Sequence, residues 1–150
     1  MQPLHFAAQE NQSAVVDFLV TAGADMEATT PGGSTPLLIA ARKGAVAALR
    51  SLVGRGANVH AGDSRGETAL MVAISGNQVP ALHELLPVSN LTVTNIQGWN
   101  ALHFCAAFGT DEILKLLLPH VTDLDAATVP GMFSDGTPIG FFKETALHIA

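Results

Sequence analysis

Cysteine is almost absent from this sequence, since Cys105 is the only one among 150 residues. A single thiol cannot form a disulfide framework within the chain, and such a composition suits a reducing compartment. No run of apolar residues approaches the length that crosses a membrane, and the first ten residues, MQPLHFAAQE, carry neither the basic start nor the apolar stretch of a secretory signal. We therefore expect a soluble intracellular protein, cytoplasmic or nuclear, with no membrane insertion.

Charged residues are also scarce, at 13% of the chain, and basic residues are the scarcer kind. Lysine and arginine number 7 against 13 aspartates and glutamates, which gives a net charge of −6 and argues against a nucleic-acid binder that neutralises phosphates. The hydrophobic fraction of 48% excludes a disordered chain and is enough for the core of one ordinary domain. Five of the 7 basic residues nevertheless fall between positions 42 and 65, so one part of an acidic molecule is locally basic.

One hexamer recurs along the whole chain. It reads QPLHFA at 2–7, TPLLIA at 35–40, TALMVA at 68–73, NALHFC at 100–105 and TALHIA at 145–150, with starts 33, 33, 32 and 45 residues apart. Each of the first four copies is followed by a second apolar segment: AVVDFLV (14–20), AALRSLV (47–53), ALHELL (81–86) and ILKLLL (113–118). The spacing of the apolar residues in these segments indicates helices with one buried face.

These segments resemble the ankyrin repeat, both in the 33-residue period and in the T-P-L-H-x-A motif. The resemblance implies an all-α fold, an ankyrin-repeat α-solenoid of stacked helix-turn-helix pairs from which β-hairpin or loop fingers project. It divides residues 1–150 into a single array with repeats at about 1–33, 34–66, 67–98 and 99–144, the last with an enlarged loop at 119–144, and a partial fifth repeat at 145–150. Because both ends lack the polar face of a terminal repeat, we expect the chain to be a fragment of a longer array.

Residue types at the helix ends fit this interpretation. Thr35, Thr68 and Asn100 stand at helix N-cap positions, where a side-chain oxygen accepts a hydrogen bond from an unpaired backbone N–H. The turn after each first helix carries a residue type that tolerates the left-handed conformation of a helix C-cap: Asn11, Gly44, Asn77 and Gly109. The sequence therefore predicts where each first helix begins and how it ends.

The sequence contains no arrangement of residues that indicates catalysis. His5, His103 and His148 share one position of the motif, where the resemblance implies a structural hydrogen bond between neighbouring repeats, and the other histidines are isolated. The stretch GMFSDGTP at 131–138 has the glycine spacing of a phosphate loop but lacks its lysine. Cys105 replaces a small alanine of the motif, which predicts a buried, inert thiol. We predict that the protein is not an enzyme and uses no cofactor or metal.

The resemblance implies that partners bind in a concave groove formed by the inner helices and the finger tips. Arg42 and Lys43 at the end of an inner helix and Arg65 in a finger form a basic group, for which ordinary solvated charge is the alternative explanation. Trp99 and Phe108 are aromatic residues of the fourth repeat, although Trp99 can instead pack on the adjacent finger. Finger positions that vary between repeats complete the predicted partner-binding set: Arg42, Lys43, Arg65, Glu67, Ile96, Trp99 and Phe108.

We therefore predict a protein–protein interaction module without intrinsic catalysis. Its partner is another protein, and the basic group makes an acidic or phosphorylated segment a candidate ligand, with no nucleic-acid partner. The alternative is a regulatory or targeting segment of a larger multidomain enzyme, channel or receptor, because both ends of the array look open.

Overall fold

The computed structural model describes residues 1–121, and this part of the chain contains eight α-helices in four consecutive pairs. The first helices of the pairs are α1 (Pro3–Gln9), α3 (Pro36–Lys43), α5 (Ala69–Ser75) and α7 (Ala101–Phe108). The second helices are α2 (Ser13–Thr21), α4 (Val46–Gly54), α6 (Val79–Leu85) and α8 (Asp111–Leu117). Short 3₁₀ turns, Leu86–Val88 and Leu118–His120, extend α6 and α8.

The helices form two layers. In the inner layer α1, α3, α5 and α7 pack side by side in chain order, and in the outer layer α2, α4 and α6 do the same. The two helices of each pair also contact one another, so the layers share one hydrophobic core. In α5, for example, every residue from Ala69 to Ile74 is buried. This stacking confirms the predicted all-α solenoid.

Two of the three predicted N-caps form. The side chain of Thr35 accepts a hydrogen bond from the backbone N–H of Leu38, and that of Asn100 accepts two from the first turn of α7. Thr68 is the exception, because its side chain forms no cap bond with any described residue although its backbone has the same extended geometry. Backbone geometry alone therefore starts α5.

The turns after the first three inner helices use the predicted left-handed conformation, with φ of 56° at Asn11, 68° at Gly44 and 53° at Asn77. The prediction is wrong at Gly109, where φ is −73°. Glycine is needed there for space, since a Cβ would lie 2.4 Å from the carbonyl oxygen of Cys105. The extended backbone at Gly109 leads directly into Thr110, whose side chain caps the start of α8.

The fingers between the pairs are loops, which is one of the two forms that the resemblance implies. Each finger closes with the same turn, in which a backbone N–H donates to the carbonyl oxygen four residues later: Thr30 to Ser34 (3.0 Å), Asp63 to Glu67 (3.1 Å) and Asn95 to Trp99 (2.9 Å). Neighbouring fingers are joined by single backbone hydrogen bonds, from Ser64 to Gly32 (3.2 Å) and from Ile96 to Arg65 (3.0 Å). One bond to each neighbour does not make the ladder of a sheet, and residues 1–121 contain no strand.

Some predictions fall outside the described residues. They are the enlarged loop at 119–144 from residue 122 onward, the partial fifth repeat at 145–150 and its motif histidine, His148. Within residues 1–121, no helix combines the length and the apolar character needed to span a bilayer.

Candidate interaction groove

The finger tips and the ends of the inner helices lie on one face of the stack. Arg42, near the end of α3, reaches a finger carboxylate, and the finger that carries Arg65 is hydrogen-bonded to the tip of the next finger at Ile96. Trp99, at the base of that finger, packs against α7, which ends at Phe108. We call this face the groove; its exposed predicted residues are Arg42, Lys43, Arg65, Ile96 and Phe108.

Each groove arginine is paired with a carboxylate that is more deeply buried than itself. The side chain of Arg42 is 45% exposed and that of its partner Asp63 is 5% exposed, with Nη2 and Oδ2 3.7 Å apart. Arg65 is 63% exposed and its partner Glu67 10%, with Nη2 donating to Oε2 at 3.0 Å. Asp63 is itself fixed, because its Oδ1 accepts the backbone N–H groups of residues 65 and 67. The groove therefore presents guanidinium groups to solvent and keeps the carboxylates behind them.

Glu67 is a predicted groove contact that the fold buries. Burial raises the pKa of this carboxyl above its ordinary value; the charge of Arg65 opposes the shift, Asp63 adds to it and Arg42 opposes it. A raised pKa means that the folded chain disfavours the ionised form. Glu67 is thus placed to hold Arg65, whereas Lys43 is exposed and forms no ion pair within residues 1–121.

The fourth helix pair gives the groove an apolar end. Trp99 meets Phe104 edge-on with ring centroids 5.8 Å apart, and Phe104 lies 6.0 Å from Phe108. Phe104 is buried, Phe108 is 54% exposed, and Ile96 at the finger tip is 75% exposed. Trp99 is half-buried and also stacks on the ring of His103 in α7. At this end of the groove Phe108 and Ile96 are the exposed apolar side chains, and Trp99 supports Phe108 through the packed ring of Phe104.

The inner-layer histidines have structural roles. His5 Nε2 donates to the carbonyl oxygen of Ala28 at 2.9 Å while its Nδ1 accepts the N–H of Gln2, which ties α1 to the loop that follows α2. His103 Nδ1 lies 3.2 Å from the backbone nitrogen of its N-cap residue, and burial lowers the pKa of this ring. Cys105 is buried, as predicted, and burial raises the pKa of its thiol to about 11, which disfavours the reactive thiolate. No group of three or more His, Cys, Asp or Glu side chains in the described part is placed to hold a metal ion.

His60, isolated from other candidate site residues in the sequence, makes a structural contact that the sequence did not predict. Its Nε2 accepts the backbone N–H of Asn90 at 3.0 Å, so it joins the loop after α4 to the loop after α6. The same contact occurs one repeat earlier, where Glu27 Oε1 accepts the backbone N–H of Asn58 at 2.8 Å. Alignment of the repeats places Glu27 and His60 at one position, and this is the sequence signal that could have identified the contact.

The locally basic stretch of the sequence is divided between the two faces of the stack. Arg55 Nε donates to Asp17 Oδ1 at 3.2 Å, and Arg50 pairs with Glu84. Both contacts link neighbouring helices of the outer layer. Among residues 1–121, the basic side chains left to the groove are thus Arg42, Lys43 and Arg65.

Comparison with known protein families matches the repeat pattern. A family model described as ankyrin repeats in 3 copies matches residues 4–95, and one described as ankyrin repeat matches residues 97–129. Comparison with curated protein sequences gives no match. The two matched ranges cover most of the chain and all four helix pairs.

Proposed function

Because the chain belongs to the ankyrin-repeat family, we propose that it binds another protein through the groove and has no catalysis of its own. Ankyrin repeats serve in general as protein–protein interaction modules, and repeat arrays use their extended concave surface for binding. The observation that carries the proposal is the exposure of large apolar side chains, Ile96 at 75% and Phe108 at 54%, beside exposed arginines on one face. Aromatic residues and arginine are the types most enriched where binding energy concentrates.

The exposed guanidinium groups favour an anionic partner. Arg42 and Arg65 keep donors free for a carboxylate or a phosphate, because each is paired with a single buried acid. Lys43 adds a third positive charge at the end of the same inner helix. An acidic or phosphorylated segment of the partner therefore fits the proposal.

A crosslinking experiment tests which face binds. A photoreactive amino acid is placed at Ile96 in the groove or at Phe18 on the outer helix α2, which are 75% and 71% exposed and so equally accessible. In extracts of cells that make the protein, we expect specific proteins to crosslink at position 96 and not at 18, and an excess of unlabelled chain to compete. Crosslinks that are equal at both positions, or absent at 96, would contradict the proposal.

Substitutions then test the residues against a crosslinked partner. Arg42→Glu or Phe108→Ala should weaken its affinity by about tenfold or more, because both remove exposed groove groups. Arg55→Glu is the matched control, since Arg55 is 41% exposed against 45% for Arg42 and also pairs with one acid. Circular dichroism should show unchanged helical content in all three variants, and unchanged affinity in both groove variants would refute the assignment of the site.

A further inference from the structure

The groove places its most exposed arginine next to its most exposed apolar residue. The backbone N–H of Ile96 donates to the carbonyl oxygen of Arg65 at 3.0 Å, so the two residues stand on adjoining finger tips. The Arg65 side chain is 63% exposed and Ile96 is 75% exposed. A bound segment that pairs with one of them therefore lies beside the other.

The fourth helix pair adds a second exposed apolar side chain, Phe108, which packed rings support. Phe108 stands on the buried ring of Phe104, and Phe104 is held in turn by the edge-on contact with Trp99. A packed aromatic group loses little side-chain freedom when a ligand covers it, so more of the contact energy remains as affinity. This end of the groove is suited to a large apolar side chain.

The charged residues around Arg65 can bind a single carboxylate of a partner. Arg42 and Arg65 pair with the carboxylates of Asp63 and Glu67, and Lys43 at the end of the same inner helix brings the net charge of these five residues to +1. One carboxylate of a partner neutralises this charge, so an aspartate or glutamate is sufficient for pairing with the exposed guanidinium groups.

We infer that the groove recognises an extended partner segment in which an acidic side chain and a large apolar side chain are about two residues apart. Hydrogen-bonded extended backbones lie ~5 Å apart, an extended chain rises about 3.3 Å per residue, and alternate side chains share a face, so this spacing spans the two finger tips. The carboxylate pairs with Arg65 and Arg42, and the apolar side chain covers Ile96. The inference rests on the proposed function and specifies the chemistry of its partner.

Selection from a phage-displayed library of random peptides on the immobilised 150-residue chain tests this motif directly. We expect the enriched peptides to carry Asp or Glu about two positions from Phe, Leu, Ile or Trp. In synthetic versions measured by fluorescence polarisation, changing the acid to its amide or the apolar residue to Ser should weaken binding about tenfold. Arg65→Gln and Ile96→Ser in the protein should do the same. The matched outer-face controls, Arg55→Gln and Phe18→Ser, should leave affinity within about twofold.

Three results would overturn the inference. They are enriched peptides that lack the acidic–apolar pair, a phosphoserine peptide that binds more than about tenfold more tightly than its aspartate counterpart, or no peptide with a Kd below about 100 µM. Crosslinking at position 96 separates this failure from failure of the proposed function. Specific crosslinks together with any of these results leave groove binding in place and remove only the motif, whereas absent crosslinks remove both.

Discussion

The groove and the outer helices carry the same kinds of charged residue, yet the acids lie at different depths. On the outer face Asp17 and Glu84 are 43% and 28% exposed, so both partners of each ion pair remain in contact with water. In the groove Asp63 and Glu67 are 5% and 10% exposed, while their arginines remain open to solvent. Solvated pairs contribute little stability and serve to link helices. Buried acids that orient exposed arginines instead create a surface with donors available to a partner.

Exposed phenylalanines show a second difference between the two faces. Phe18 on α2 is 71% exposed, more than Phe108 at 54%, so exposure alone would select the outer residue. Phe108, however, is the end of a chain of packed rings, and it lies in the last turn of an inner helix, as Arg42 and Lys43 do. The candidate site is therefore distinguished by the packed rings beneath Phe108 and by the basic residues of the groove, and not by the exposed area of the phenylalanine.

The largest expected effect comes from replacing a glycine on each face. Gly33 has φ of +77°, and a Cβ there would lie 2.6 Å from the backbone nitrogen of Ser64 in the next finger. Gly33→Ala should therefore lower stability by about 2 kcal/mol or more and Tm by about 4–8 °C. Gly54 ends the outer helix α4, and no described atom lies within 4 Å of its Cβ position. Gly54→Ala should raise stability by about 0.5–1 kcal/mol.

Thermal unfolding followed by circular dichroism measures both glycine variants under one set of conditions. Opposite changes in Tm would show that the groove depends on close contact between fingers and that the outer helix does not. A Gly33→Ala variant as stable as the parent chain would mean that the fingers separate freely, and the juxtaposition of Arg65 and Ile96 would lose its basis.

An intermediate effect is expected from the buried histidine of the inner layer. Burial lowers the pKa of His103, so the neutral ring is favoured in the folded chain. The stability that depends on the neutral ring is present above the ordinary histidine pKa of about 6.5 and is lost as pH falls below it. Between pH 7.5 and 5.5, Tm should fall on the order of 2 °C more in the parent chain than in His103→Gln.

The outer helix α6 offers the matched control for that experiment. His83 is exposed, and His83→Gln removes a histidine without touching the inner layer. This variant should keep the acid-induced fall in Tm of the parent chain. If His83→Gln flattens the profile and His103→Gln does not, the buried ring is not the source of the pH dependence.

Local chemistry predicted much of the fold, whereas contacts between repeats were less accessible to sequence reasoning. The left-handed cap at Gly44 follows from residue type alone, and the helix faces follow from apolar spacing. Gly109 was misjudged because its constraint is the approach of another backbone atom, which no residue type signals. The sequence left hairpins and loops open for the fingers, because a strand needs a continuous ladder and residue types do not reveal that adjoining fingers share a single backbone hydrogen bond.

The candidate site was predictable to the same extent. Exposed residues such as Phe108 and Ile96 follow from their positions in the repeat, once its helices are aligned. The depth of Glu67 and the pairing of Arg42 with Asp63 depend on how a finger folds back onto an inner helix, 21 positions away in the sequence. The pairing of charges in the groove, on which the proposed partner depends, therefore could not be predicted from the sequence.

The smallest expected effect gives the sharpest contrast between the two faces, because a Glu→Gln substitution should raise Tm in the groove and lower it on the outer face. Burial raises the pKa of Glu67, so the folded chain gains stability as this group is protonated, and that stability is lost as pH rises through the folded pKa. The hydrogen bond from Arg50 lowers the pKa of Glu84, so its contribution is present at neutral pH and is lost as pH falls. Glu67→Gln should raise Tm at pH 7 by about 1 °C, because Arg65 and solvent offset part of the cost of burial, and Glu84→Gln should lower it slightly.

The difference for Glu67→Gln should shrink below about pH 4, where the Glu67 carboxyl, with its raised pKa, is protonated in the parent chain as well. The difference for Glu84→Gln should persist to lower pH, because the pKa of Glu84 is lowered. Thermal unfolding of the three proteins at pH 7 and pH 3.5 measures this. A fall in Tm for Glu67→Gln at pH 7 would mean that the pairing with Arg65 outweighs the burial of the acid. Glu67 would then stabilise the fold in the manner of the outer ion pairs, and the contrast between the two faces would rest on exposure alone.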